Sequence, residues 1–261
     1  MNPPTPQCPL EHYCPLKASK KSVVVENFQQ EFTKIIKGLT VLNGPFKGMK
    51  YPSMNAYGSV IYPKILGSYE KELSNLIESL CQKDYSTIID IGCAEGYYAV
   101  GFALRIPKSR IHAFDSSEQA QMLCKEMAQT NTVSIKCAGP FSKDTFKDID
   151  LNSKTLIICD CEGHEANIFD SEIAKKLNQC DLLIESHDCV NIEMTEYLYS
   201  VFSKTHTITE IESVDDTLKA YRYDYPELAS LSLREKKVFL SEYRGHIMRW
   251  LYMEPKTPQN H

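Results

Sequence analysis

Short apolar runs alternate with helical apolar stripes through most of this chain, beginning near residue 70. Leu73, Leu76, Ile77 and Leu80 recur at i, i+3, i+4 and i+7, which lays one apolar stripe along a helix. Thr87-Ile88-Ile89-Asp90-Ile91 then reads as a buried strand, and a helix opening at Gly96 places Tyr97, Val100, Gly101 and Leu104 on one face. Ile111 to Phe114 is a second strand. Ser116 with Gln119 offers a capping box for a helix whose Ala120, Leu123, Cys124 and Met127 face inward. Further strands are expected at Val133 to Cys137, Thr155 to Cys159, Asp181 to Glu185 and about 205–211, with helices near 164–178 and 192–203. Ile247 to Tyr252 reads as a late, antiparallel strand inserted into the sheet. Parallel strands joined by right-handed helical crossovers predict an α/β fold: a Rossmann-like, doubly wound, seven-stranded, mostly parallel sheet.

The rhythm is missing at the start of the chain. Residues 1–22 hold Pro3, Pro4, Pro6, Pro9 and Pro15 among polar neighbours and read as a flexible head. Cys8 and Cys14 there would need metal ligands from elsewhere. Residues 23–84 form a small N-terminal cap, with a helix from Val24 to Ile36 and a turn from Leu42 to Met49 between two short extended pieces. Residues 85–261 carry the main domain.

Composition narrows the picture. A chain of 261 residues with 43% hydrophobic positions supports one α/β domain and an appendage. The net charge of -5 leaves no excess positive charge for a phosphate backbone, which disfavours a nucleic-acid partner. There is no basic leader running into an apolar stretch, and no apolar run approaches the roughly 18 residues that span a bilayer. The reading is a soluble, cytoplasmic protein, with homodimerisation left open. Ten cysteines are dilute in this length: Cys159 and Cys161 share one strand, Cys93 sits in a turn, and no pair has C-x-x-C spacing. Free thiols in a reducing compartment are expected rather than a zinc or redox site.

Candidate chemistry gathers first at Asp90-Ile91-Gly92-Cys93-Ala94-Glu95-Gly96-Tyr97, where a strand turns into a helix. Glycine at 92 and 96 permits a tight turn and close approach of backbone to a ligand, and the helix start presents unpaired N–H groups. A dinucleotide enzyme would more often read G-x-G-x-x-G. The spacing here is D-x-G-x-A-x-G, and the charge of Asp90 would repel a pyrophosphate while suiting a ligand with an ammonium and a sulfonium. Asp115, at the end of the second strand, can accept hydrogen bonds from two ribose hydroxyls. The plain alternative is a tight connection beside a helix-capping acid. The candidate cofactor set is Asp90, Gly92, Cys93, Ala94, Gly96, Tyr97, Asp115, Ser116 and Asp160.

Together with Asp160-Cys161-Glu162-Gly163-His164-Glu165 and Ile184-Glu185-Ser186-His187, this turn resembles the class I S-adenosylmethionine-dependent methyltransferases. The D-x-E-G-x-E run is similar to the FkbM-like group, whose members methylate hydroxyls of sugars, lipids and secondary metabolites. The resemblance covers about residues 68–213. It implies S-adenosylmethionine as donor, S-adenosylhomocysteine as product and a small-molecule acceptor. Ala94 departs from the commoner glycine.

Methyl transfer from a sulfonium requires alignment of the acceptor and removal of its proton. Alternation along extended strands puts Asp160 with Glu162 and Glu185 with His187. In one mechanism His164 or His187 is the general base, oriented by Glu162 or Glu185. In the other, Asp160, Glu185 and His187 hold a divalent ion such as Mg²⁺, an option the resemblance keeps open. The metal-free version is preferred. Glu165 reads as an ordinary first-turn acid. Tyr69-Glu70 could cover the cofactor or simply pack, and Asn43 to Met49 with Tyr51 could form a lid. Tyr221, Tyr223 and Tyr225 would share one side if extended, and His246, Arg249 and Trp250 could return to the crevice. Competing functions are N-methylation of a small molecule or peptide, a non-catalytic Rossmann-fold binding module, and a nicotinamide-dependent oxidoreductase, which the loop spacing argues against.

Overall fold

The computed structural model describes residue 36 and residues 38–151 and 153–256. The Pro-rich head, Cys8, Cys14 and nearly all of the expected 24–36 helix lie outside them. Among the described residues the helices are α1 (Ile61–Leu66), α2 (Ser74–Cys81), α3 (Tyr97–Arg105), α4 (Glu118–Thr130), α5 (Glu165–Ile168), α6 (Ser171–Lys176), α7 (Met194–Phe202), α8 (Asp216–Arg222) and α9 (Leu233–Leu240). The strands are β1 (Thr87–Ile91), β2 (Arg110–Phe114), β3 (Lys136–Ala138), β4 (Thr155–Cys159), β5 (Asp181–Ser186), β6 (His206–Glu212) and β7 (Arg249–Pro255).

These strands form one seven-stranded sheet in the order β3-β2-β1-β4-β5-β7-β6. β1 to β5 pair in parallel, and β7 enters antiparallel between β5 and β6. This is a Rossmann-like, doubly wound, mostly parallel seven-stranded sheet, as the alternation of runs and stripes predicted. β1, β4 and β5 are buried at every position, because helices cover both faces of a parallel sheet. Ile88, Leu156, Leu183 and Trp250 face one core with α2, α3 and α4. Ile89, Ile157, Leu182 and Leu251 face the other with α6 and α7. No helix among the described residues is long and apolar enough to cross a membrane.

Local chemistry moves several expected boundaries. The expected 164–178 helix breaks at Phe169, which is extended and fully buried, and the Asp170 side chain then accepts from the amides of Glu172 and Ile173 to start α6. The cap of α4 is Ser117 rather than Ser116, with Ala120 N donating to it at 3.4 Å. Leu104 of α3 is exposed, and Ala103 is buried in its place. Cys161 stands in the turn beyond β4, so Cys159 and Cys161 do not share a strand.

Residues 40–50 make the expected turn between two extended pieces, closed by a Thr40–Lys50 bridge. They form no lid on the acceptor. Phe46 packs edge-on against Tyr97, Tyr98 and Phe102 on α3, and Gly101 is needed there because a Cβ would sit 2.5 Å from the Phe46 ring. The turn is therefore a strap behind α3. Tyr221, Tyr223 and Tyr225 do not share a side either. α8 ends at Arg222, Tyr221 is exposed, and the hydroxyls of Tyr223 and Tyr225 donate to Glu72 and to the Gly67 carbonyl.

Candidate active site

A cavity of about 660 Å³ opens at the carboxyl ends of β1, β2, β4 and β5, where ligands sit in open α/β sheets. That volume lies within the roughly 300–1,000 Å³ of small-ligand sites. One half is lined by Ile91, Gly92, Ala94, Phe114, Asp115, Ser116 and Phe141. The other half is lined by Tyr69, Asp160, Glu162, His164, Glu185, His187 and the 242–248 segment.

The turn after β1 does its work differently from the expectation. Gly92 has φ +82, and a Cβ there would lie 1.7 Å from the Asp160 carbonyl oxygen. Its glycine lets the ends of β1 and β4 meet, and so brings Asp160 to the hollow; room for a ligand is not the reason. Gly96, φ +93, would place a Cβ 2.9 Å from Cys124 Sγ. Asp90 is buried and accepts from Ala99 N at 2.9 Å, and burial first of all pushes its carboxyl up to about 7. Asp90, Cys93, Gly96 and Tyr97 do not line the cavity. Asp90 is thus an anchor for α3, and the carboxyl groups that face the hollow are those of Asp115 and Asp160.

Asp115 lines the cavity just beyond β2. Its Oδ2 accepts from Ala94 N at 3.0 Å and its Oδ1 from Ser117 N at 2.8 Å, which fixes the carboxylate at the rim with lone pairs to spare. Asp160 Oδ1 is buried 3.4 Å from His187 Nε2, where an added ammonium group would be a further donor to it. Phe114 and Phe141, edge to face at 4.9 Å, supply an apolar wall suited to a purine. These features fit S-adenosylmethionine.

The chemical half is organised around His187, which is 2% exposed. Its Nδ1 lies 2.6 Å from Glu165 Oε1. Its Nε2 faces Asp160 Oδ1 at 3.4 Å, Glu162 Oε2 at 3.5 Å and Glu185 Oε2 at 3.6 Å. The orienting acid is therefore Glu165 rather than Glu162 or Glu185, and Glu165, fully buried, is no ordinary first-turn acid. Burial alone would raise Glu165, but the hydrogen bond and charge of His187 hold it below its usual value. Burial would lower His187, but Glu165, Glu185 and Glu162 outweigh it and raise it. His164 is exposed, with Nδ1 3.2 Å from the Cys161 carbonyl. Glu162 is also exposed and reaches His187 from a turn residue with φ +55.

Arg244, in the loop between α9 and β7, went unremarked in the sequence. It binds Glu185 and Glu70 through its terminal nitrogens and Glu242 through Nε, closing the floor of the cavity. Burial raises Glu185 to about 8, Asp160 to about 7 and Glu70 to about 7, so the cluster holds protons near neutrality. Glu70 also accepts from the Tyr98 hydroxyl and does not line the cavity, whereas Tyr69 does. His246 does return to the cavity. Arg249 instead pairs with Asp188 and Glu210, and Trp250 is buried in the core. Glu95 was also missed: it binds Lys64, the Tyr51 hydroxyl and Tyr57 N, pinning the cap to the turn after β1. Asp160, Glu185 and His187 offer ligand atoms within 4.8 Å of one another, a set that could hold a divalent ion.

Residues 72–179 match the family model described as a methyltransferase small domain. The match covers less than half of the chain; it supports the methyltransferase reading and does not extend to the FkbM-like subgroup. Over 90 residues the chain is 30% identical to ribosomal RNA large subunit methyltransferase G of Photobacterium profundum, covering 34% of this chain and 24% of that protein. The chain thus spans about a quarter of the length of the curated relative it matches. Among solved structures, precorrin-6y C5,15-methyltransferase from Geobacter metallireducens GS-15 aligns with a TM-score of 0.43 at 10% identity, covering 70% of this chain and 88% of that one. An rRNA methylase from Streptococcus thermophilus aligns with a TM-score of 0.46 at 12% identity, covering 71% and 97%.

Proposed function

We propose that the chain transfers a methyl group from S-adenosylmethionine to a hydroxyl of a small molecule, in the manner of the FkbM-like group. The observation that carries this reading is the continuity of one cavity from Asp115 to the His187–Glu165 pair. The donor, when bound, supplies an activated methyl group. Asp115 binds its ribose, Asp160 its ammonium, and Gly92, Ala94 and Ser116 shape the wall between them. His187 Nε2 takes the acceptor proton, and Glu165 fixes the ring and stabilises the imidazolium that forms. Glu185 and Glu162 position the acceptor. His164, at the mouth, contacts its outer part.

The metal-free version is supported by Arg244. Its guanidinium lies against Glu185, and a divalent ion on Asp160, Glu185 and His187 would meet that positive charge. A small-molecule acceptor is supported by the cavity of about 660 Å³, with the exposed acid Glu162 among its lining residues. The match to a ribosomal RNA methyltransferase favours a second reading, methylation of RNA.

The test is calorimetric titration with S-adenosylhomocysteine, followed by mass spectrometry of products from pools of hydroxylated and amine acceptors and from ribosomal RNA. Absence of S-adenosylhomocysteine binding removes the cofactor assignment. Binding without transfer to any pool leaves a binding module, and transfer to an amine or to RNA replaces the hydroxyl. Activity that is lost on EDTA treatment and restored by Mg²⁺ overturns the metal-free version.

A further inference from the structure

Behind the wall of the cofactor hollow, three thiols converge from three separate elements. Cys93 belongs to the turn after β1, Cys124 to α4 and Cys137 to β3, and their sulfur atoms all lie within 4.8 Å of one another. Cys93 and Cys124 are buried and Cys137 is half-buried. None of the three lines the cavity described above. Their contacts outside the cluster are weak: Cys93 Sγ reaches the Ala94 carbonyl at 3.8 Å and Cys137 Sγ the Gln121 carbonyl at 3.7 Å.

Thiolates around a tetrahedral zinc ion, each about 2.3 Å from the metal, stand about 3.8 Å apart. Closing this cluster to that spacing requires sulfur movements on the order of an ångström, within reach of χ1 adjustments. The glycine at 96 leaves the room, since a Cβ there would press on Cys124 Sγ. We propose that Cys93, Cys124 and Cys137 form a soft-metal site, suited to a zinc(II)-like thiophilic cation, that ties the cofactor turn to α4 and to the sheet edge.

Sulfur-only donors select such a cation over Mg²⁺ or Ca²⁺, which prefer the oxygen-rich set at the far end of the cavity. β3 is the edge strand, so the half-exposed Cys137 gives an entry path and leaves a fourth position for water. Each thiol that coordinates the ion does so as the thiolate, so binding releases protons. Because Cys93 sits between Gly92 and Ala94 of the cavity wall, an ion here rigidifies the wall without entering the hollow.

The experiment titrates the reduced, chelator-stripped full chain with Co²⁺ and reads thiolate-to-cobalt charge-transfer absorption, then displaces Co²⁺ with Zn²⁺. One equivalent with a charge-transfer band is expected. The band persists in a Cys8→Ser/Cys14→Ser variant and in Cys161→Ser. It is lost in Cys93→Ser, and Cys137→Ser lowers Zn²⁺ affinity at least tenfold. Cys137 is half-buried at an edge, so its serine variant tests the site even where a variant of a buried cysteine fails to fold. Zn²⁺ raises the thermal midpoint of the wild type and not of Cys137→Ser. No band in the wild type, or a band of equal strength in Cys137→Ser, overturns the site. These readouts do not involve methyl transfer, so the result stands apart from the S-adenosylhomocysteine titration.

Discussion

Glu165→Gln keeps the shape of a fully buried side chain while removing its charge, and so isolates what that charge does to His187. In the wild type Glu165 Oε1 accepts from His187 Nδ1 at 2.6 Å and from Gly163 N at 3.3 Å. Burial works against the imidazolium, and Glu165 reverses that effect to raise His187. A hydrogen bond to a charged group contributes about 1.5–3 kcal/mol, and one pKa unit corresponds to about 1.4 kcal/mol. The substitution therefore lowers the His187 pKa by about 1–2 units. Nuclear magnetic resonance titration of the imidazole in both folded proteins measures it directly.

With His187 as the base, the acid limb of kcat/KM moves down by the same amount, and the rate above it falls because the base is weaker. The stability profile changes on two sides. The raised His187 contributes stability that is full below its unfolded pKa and is lost as pH rises through its folded value. The depressed Glu165 contributes stability that is present above its unfolded pKa and lost as pH falls through its folded value. Both slopes flatten in Glu165→Gln. Identical His187 titrations in the two proteins would refute the pairing argument.

Three further outcomes follow from the geometry. Asp115→Ala lowers S-adenosylhomocysteine affinity by about 10- to 100-fold, the equivalent of one charge-assisted hydrogen bond, as read by calorimetry. Gly92→Ala places a Cβ against the Asp160 carbonyl at positive φ. Left-handed strain and overpacking together cost about 2–5 kcal/mol, so the thermal midpoint falls by roughly 5–15 °C; an unchanged midpoint would contradict the close approach of β1 and β4. Glu185, raised to about 8 by burial, keeps its proton in the folded state through a window where the unfolded chain, at 4.5, has lost it. Stability accordingly falls as pH rises between these values, and Glu185→Gln makes a plot of thermal midpoint against pH flatter over that window.

What the sequence determined by itself was the sheet and the neighbourhood of the site. Apolar runs at β1, β4 and β5 are continuous because both faces of those strands are covered, and that pattern needs no partner residue to be read. Asp115, Asp160, Glu185 and His187 were legible because strand ends in such a sheet must converge on one crevice. Tertiary structure alone decided who touches whom. Glu165 looks like a helix-start acid until the fold sets it against His187, 22 residues away. Arg244 carries no local motif, and it becomes the counter-charge for Glu70, Glu185 and Glu242 only because β7 inserts beside β5 and draws its preceding loop over the cavity. Asp90 and Gly92 show the converse. The sequence marked both as ligand-facing, yet packing turned the acid toward the α3 backbone and gave the glycine to the Asp160 carbonyl, because burial and close approach depend on distances that chain spacing does not contain.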